Sequence, residues 1–349
     1  MVSFLLRRIG VMLLTAFCLT FFVFFLTNLE PNLEKLTKSE GNMRMTDAQV
    51  QSWLENNGYR QPLLKRYGEW LGVAPGWTRT DDNGREHGRC LKKGASTGEE
   101  TAKYCGLLQG YWGHSLVFKE GIRSIIVEKL GLTGILMFWV MVVMVPAALI
   151  IGVLAGMREG SRTDRTLSTF SILTTSTPEY VSGVILIVVF ASKLGGLRWF
   201  KGTAATAMEN VTFENFTLPV ITLALYGVGY IARMTRASMA EVMTEQYIRT
   251  ARLKGLSFPG VVLKHALRNA LIAPFTVIML QIPWLLTGVV IVETLFNYKG
   301  FGWTLVAAVG NNDIELLLAC SVVAVFVVLV TQLISDIGYV FLNPRIRMS

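Results

Sequence analysis

The sequence predicts an all-α membrane protein: six transmembrane helices, with a mostly helical extracytoplasmic cap after the first. Three observations point there. Of 349 residues, 52% are hydrophobic and only 16% are charged, whereas a soluble domain carries about a quarter charged residues. The charge is unevenly spread and leaves long stretches with almost none. Six apolar runs meet or approach the roughly 17–25 residues that a bilayer core asks of a helix.

The spans are expected in this order. The first is Ile9 to Thr27, preceded by Arg7 and Arg8. It is longer than a signal-peptide core and no small-residue cleavage site follows, so it reads as an uncleaved span. The second is Gly131 to Gly156, the third Leu167 to Ala191 and the fourth Leu218 to Ala232, which is the shortest. The fifth is Leu271 to Val292 and the sixth Leu316 to Leu342. Pro146, Pro178, Pro274 and Pro283 fall within or at the start of spans. Such breaks mark either moving, pore-lining segments or kinks fixed by packing. The organisation is therefore a first span (1–27), a cap (28–130), a five-helix core (131–342) containing a polar loop (237–270), and a short tail (343–349).

Orientation follows from Lys and Arg near the spans. With the N-terminus inside, the inside segments are Met1–Gly10, Met157–Thr166, Arg233–Ala270 and Asn343–Ser349. Together with Asp336, they carry an excess equal to the whole formal net charge of +9. Both termini are then cytoplasmic. The positive charge tracks one membrane face and lipid headgroups, which argues against nucleic-acid binding.

The cap should begin with a helix capped by Thr46 or Asp47. Val50, Trp53 and Leu54, then Leu63, Leu64, Tyr67, Trp70 and Leu71, recur at helical spacing. Residues 73–108 are rich in Gly and charge, without a period, and read as a loop or insertion. Beyond them, "GIRSIIVEKLG" is amphipathic. Cys90 and Cys105 lie in this outer region, where an oxidising compartment permits a disulfide; two free surface thiols are the alternative. Cys18 and Cys320 fall inside spans as small apolar packers. Trp199, Phe200, Phe213 and Phe216 form an aromatic belt suited to a membrane interface.

Enzyme chemistry finds little support. The chain has no G-x-x-x-x-G-K-[ST] phosphate loop, no H-E-x-x-H, no G-x-S-x-G and no clustered Cys/His set for a metal. Its three histidines, His87, His114 and His265, fall on different faces of the membrane and cannot share a site.

The most informative stretch is "YIRTARLKGLSFPGVVLKHALRNALIAP", Tyr247 to Pro274. A helix there should stop at Gly255, a plausible residue just past a helix end. Ser257 then caps the next turn and Pro259 suits a first turn. Val262, Leu263, Ala266, Leu267 and Ala270 form an apolar stripe, with Lys264 and Arg268 opposite. One reading is a basic surface helix on anionic lipid; the other is a docking element for a soluble partner.

This stretch resembles the cytoplasmic signature loop of ABC-importer permeases of the dipeptide/oligopeptide type. Arg249, Thr250, Ala251, Arg252, Lys254, Gly255, His265, Ala266, Leu267 and Arg268 stand where that pattern has them. "QPLLKRYGEWL", "GYWGHS", "VIVETLFNYKGFGW" and "ISDIGYVFLNPRIR" are similar to further family segments, so the resemblance covers most of the chain. Gln61, Lys299 and Asn343 depart from the usual residues, and "GYWGHS" lacks an Asp. Residues 73–108 or so look like an insertion relative to shorter members.

The resemblance implies the type I ABC importer permease fold in the bacterial inner membrane. It implies a second homologous permease, two ABC ATPase subunits that hold ATP and Mg, and an extracytoplasmic solute-binding protein facing the cap. No cofactor is expected in this chain. The ATPase-coupling residues would be Arg249, Thr250, Ala251, Arg252, Lys254, Gly255, His265 and Arg268, with Ala251 and Gly255 permitting close approach of the partner. The rival reading is a stand-alone ion-coupled secondary transporter or channel.

An intramembrane carboxylate is costly and defaults to a functional hypothesis. Glu179 follows Pro178 in the third span, as either a translocation-path residue or an interhelical hydrogen-bond partner. Glu293 closes the fifth span and is expected to order an outer turn or gate around Gly300 and Gly302. Gln281 is a third polar candidate within the spans.

Overall fold

The computed structural model describes residues 2–80, 86–90, 103–193 and 197–342. Along the chain run α1 (Val2–Thr27), α2 (Glu30–Glu40), α3 (Asp47–Asn56) and α4 (Leu63–Leu71). A small hairpin follows, β1 (Thr78–Thr80) and β2 (Glu86–Gly88), antiparallel with Arg79 opposite His87. Then come α5 (Ile122–Gly156), α6 (Arg162–Ser176), α7 (Glu179–Phe190), α8 (Phe213–Met243) and α9 (Gln246–Leu253). Next are α10 (Phe258–Val261), a π-helical turn (Val262–Ala266), α11 (Leu267–Ala270), α12 (Ile272–Leu295), α13 (Phe301–Gly310) and α14 (Ile314–Leu342).

Among the described residues, α1, α5, α8, α12 and α14 are long and apolar enough to cross a membrane. The third expected span is broken. α6 and α7 bend by 108° at Thr177 and Pro178, both of which are extended (ψ 122° and 147°). Proline pushes the residue before it out of the helical region, which ends α6 there. Polar flanks also join the spans. The stretch "IRSIIVEKL" is the start of α5, and α8 begins at a Thr212–Asn215 capping box.

The chain divides into two compact units. The first comprises Met1–Arg8, Lys129–Thr304 and Val327–Ser349. Here α8 is the central helix, with α6, α7 and α12 packed on it. Leu136, Met144, Leu223, Ile231, Leu285 and Phe296 form its fully buried core. Gly152 and Gly156, four residues apart on α5, let that helix approach α8 at Ala232, Thr235 and Arg236. Arg236 donates to both carboxylate oxygens of Asp164, at 2.7 and 2.8 Å, tying α8 to the start of α6.

The second unit comprises Ile9–Glu128 and Leu305–Phe326. Its α4 lies against α1: Tyr67 packs edge-on to Phe17, Phe21 and Phe24, and its hydroxyl meets that of Thr20 at 2.8 Å. Asp313, just before α14, is fully buried. It accepts from the Ser115 hydroxyl at 2.6 Å and from the N–H groups of Leu116 (2.8 Å) and Leu316 (3.2 Å). The next residue back, Asn312, donates to the Asn32 carbonyl at 3.1 Å. The unit is thus clasped at both ends of its polar stretch by one turn.

Candidate functional site

The loop between α8 and α12 is built from the inside out. Ile248 and Ala251 on α9, Val261 on α10, Val262 and Ala266 in the π-helical turn and Ala270 on α11 are all buried. They pack with Met239 of α8, and Val153 of α5 and Met157 just after it rest against them. The loop is therefore anchored to the span bundle as a folded piece. α9 does not continue α8; the chain breaks at Thr244 and Glu245 and restarts with Glu245 extended.

Gly255 turns the chain between α9 and α10 with φ +78°. A Cβ there would meet nothing within 4 Å, so the glycine is required by the left-handed backbone and not by crowding. The turn stands free. Ser257 precedes α10 as expected, but its side chain makes no cap hydrogen bond.

Arg249, Thr250, Arg252, Lys254, Gly255, His265 and Arg268 are all exposed. Ala251 corrects the expectation for the loop: it is 5% exposed and faces the bundle core, so it holds α9 in place and offers no surface to a partner. The periodic signal was present, since Ile248 and Ala251 are three apart and share one helix face. The exposed surface also carries Leu253 (81% exposed) and Leu256 (43%) beside the glycine. These two were not singled out from the sequence. Their signal is a pair of leucines flanking a turn on an otherwise polar face.

A second cluster surrounds Glu293, fully buried at the end of α12. The Thr133 hydroxyl of α5 donates to its Oε1, and the Trp303 N–H donates to Oε2 at 2.9 Å. Thr133 also accepts the Phe301 N–H at 2.8 Å, and the Tyr298 hydroxyl donates to the Leu132 carbonyl at 2.9 Å. Glu293 thus gathers the turn from Tyr298 into α13. Gly300 and Gly302 belong to that cluster. A Cβ on Gly300 would stand 2.6 Å from Thr133 Oγ1, and one on Gly302 2.8 Å from the Val290 Cα. Thr133 went unnoticed in the sequence, because one threonine in an apolar run carries no signal of its partner 160 residues away.

Glu179 opens α7 and is partly exposed. Gln281 on α12 is 5% exposed, and its Oε1 has no hydrogen-bond partner among the described residues. Cys90 and Cys105 are joined by a disulfide, with Cα atoms 5.4 Å apart. Among the described residues no group of three or more His, Cys, Asp or Glu is placed to hold a metal.

The sequence matches a family model described as binding-protein-dependent transport system inner membrane component, over residues 148–348. It is 34% identical to a probable peptide ABC transporter permease protein of Sinorhizobium fredii, over 69% of this chain and 77% of that one. It is 30% identical to a di/tripeptide transport system permease protein of Pseudomonas aeruginosa, over 99% of both chains. It is 29% identical to an oligopeptide transport system permease protein of Bacillus subtilis, over 87% of both.

Proposed function

The chain belongs to the family of inner-membrane components of binding-protein-dependent transport systems, and from that premise we propose that it passes peptides or similar small solutes on energy received through the α9–α10 loop. The observation that carries this reading is the form of the loop. It is seated on the bundle by its buried face and presents Arg249, Arg252, Lys254 and Arg268 outward around a free glycine turn.

A docking lever must transmit force, which a floppy loop cannot do. Helices on both sides of one glycine turn, packed on α5 and α8, meet that need. Two separate ATPase subunits, holding ATP and Mg, would receive such turns in surface clefts. Arg249, Arg252, Lys254 and Arg268 would pair with their carboxylates, with Thr250 and His265 at the rim. Leu253 and Leu256, exposed beside the glycine, would be buried on docking and add apolar area to the contact. A second homologous permease would complete the pathway, and an extracytoplasmic solute-binding protein would deliver solute to the 28–130 side. Both termini are then cytoplasmic, and this chain hydrolyses nothing itself. Peptides enter this reading through the names of the relatives. The family match supports this reading and lends none to a stand-alone ion-coupled transporter.

Gly255→Trp against Gly255→Ala tests the docking. Both variants force a side chain into the left-handed region at about 1–2 kcal/mol. Only Trp adds bulk, and it adds it into open space. Copurification with the ATPase subunits should survive Ala and fail with Trp, while membrane insertion is the same for both. Retained copurification and ATP-driven uptake in the Trp variant would refute the docking role.

A further inference from the structure

Gln281, Trp284 and Gly288 follow one another on α12 at spacings of three and four, so they share one helix face. On that face Trp284 stacks with Tyr226 of α8, the ring centroids 4.2 Å apart and the planes 17° from parallel. A Cβ built on Gly288 would find both Glu179 Oε1, at 3.7 Å, and the Trp284 ring edge, at 3.9 Å. The carboxylate of α7 and the indole of α12 therefore lie beside the same point, with the Leu223 side chain of α8 nearer still, at 3.0 Å. Glu179, Tyr226 and Trp284 are each partly exposed.

Two polar groups here lack partners. Among the described residues the Glu179 side chain makes no hydrogen bond or ion pair, and the Gln281 Oε1 is buried and unpaired. A carboxylate among apolar helices is costly unless something neutralises it, and a buried amide oxygen without a donor costs about 1–3 kcal/mol. Both groups are acceptors, and both ask for a cation that carries N–H donors. The stacked aromatic pair asks for a cation as well, because its face attracts positive charge, and most strongly when that charge is organic and weakly hydrated. One carboxylate and one amide are too few oxygens for a calcium ion, which takes six to eight.

We propose that Glu179, the Tyr226–Trp284 stack and Gln281 form a subsite for the ammonium group of the transported solute, the free amino end of a short peptide being the form that fits. The proposal rests on the permease reading above and names what α7, α8 and α12 would recognise. Glu179 supplies the charge, the aromatic pair the flat wall, and Gln281 one N–H acceptor.

The test uses the whole transporter, with its partner permease, ATPases and binding protein, in proteoliposomes supplied with radiolabelled dialanine. Association of the wild-type chain with its ATPases, scored in the same preparations, reports on the permease reading independently of Glu179. For the subsite, Glu179→Gln should lower kcat for dialanine uptake about tenfold, as expected when the ammonium group loses its counter-charge beside the aromatic wall. KM should stay unchanged, because external capture belongs to the binding protein. Glu179→Asp should stay within about threefold of wild type by keeping the charge, and Trp284→Leu should lower kcat where Trp284→Tyr keeps most of it. Wild-type kcat in Glu179→Gln overturns the proposal. So does an equal loss in Glu179→Gln and Glu179→Asp, or failure of Glu179→Gln to assemble, since the carboxylate would then serve packing alone.

Discussion

Glu293 is the sharpest test of the α12–α13 turn. In Glu293→Ala, the Thr133 hydroxyl and the Trp303 N–H both lose their acceptor in a fully buried place. A buried donor left unpaired costs about 1–3 kcal/mol, and the vacated side-chain volume adds to that. The total is about 3–5 kcal/mol. In Glu293→Gln, one amide oxygen still accepts the Trp303 N–H, and Thr133 Oγ1 has a lone pair for the new NH2 group, so the cost falls to about 1 kcal/mol. For a chain of this size each kcal/mol moves the melting midpoint by roughly 2 °C. Thermal unfolding of the detergent-purified protein, followed by circular dichroism, should drop by roughly 6–10 °C for Ala and roughly 2 °C for Gln. Thr133→Val combined with Glu293→Ala should cost less than the two singles together, because they share one interaction. Equal shifts for Ala and Gln, or strict additivity in the double variant, would refute the hydrogen-bonded account of the turn.

Two other perturbations have signs fixed by the structure. Glu69 on α4 is 2% exposed with an unpaired Oε1, and burial raises its pKa against the opposing pull of Lys65, Arg89 and Arg66. An acid whose folded pKa lies above its unfolded value favours the fold when protonated. The second unit should therefore lose stability as pH rises from the ordinary glutamate range through the raised value. Glu69→Gln should flatten that slope in limited-proteolysis midpoints measured from acid to neutral pH. Gly152→Val places a Cβ 2.6 Å from the Ala232 carbonyl, a backbone atom that cannot swing aside. It should separate α5 from α8 and cost about 1–3 kcal/mol in thermal unfolding, where a solvent-facing Gly→Val would not.

The spans were legible in the sequence because the bilayer imposes a local rule, an apolar run of a set length. α5, α8 and α14 each contain the run expected of them, and α12 contains all of its run but Leu271. The glycine turn at 255 was legible for a similar reason: φ +78° is a local demand that glycine meets. The bend at Pro178 was only half legible. Proline signals a break, but the 108° angle depends on what α6 and α7 pack against. Ala251 was misplaced because a small residue in a basic motif suits either a docking face or a core. Only the packing against Met239 and its neighbours distinguishes them.

The sequence by itself determined that this chain lives in a membrane, where its apolar runs lie, and which loop is basic and broken by glycine. These follow from composition and spacing over short stretches of chain. The tertiary structure alone decided which polar groups meet: Thr133 with Glu293, Ser115 with Asp313, Glu179 beside Trp284. The partners in each pair are far apart in sequence. In an apolar interior each polar group must find a partner or meet the cost of having none, but no local pattern records which one. The basic loop divides the same way. Its glycine turn is a local demand, while its buried face exists only because α5 and α8 are there to cover it.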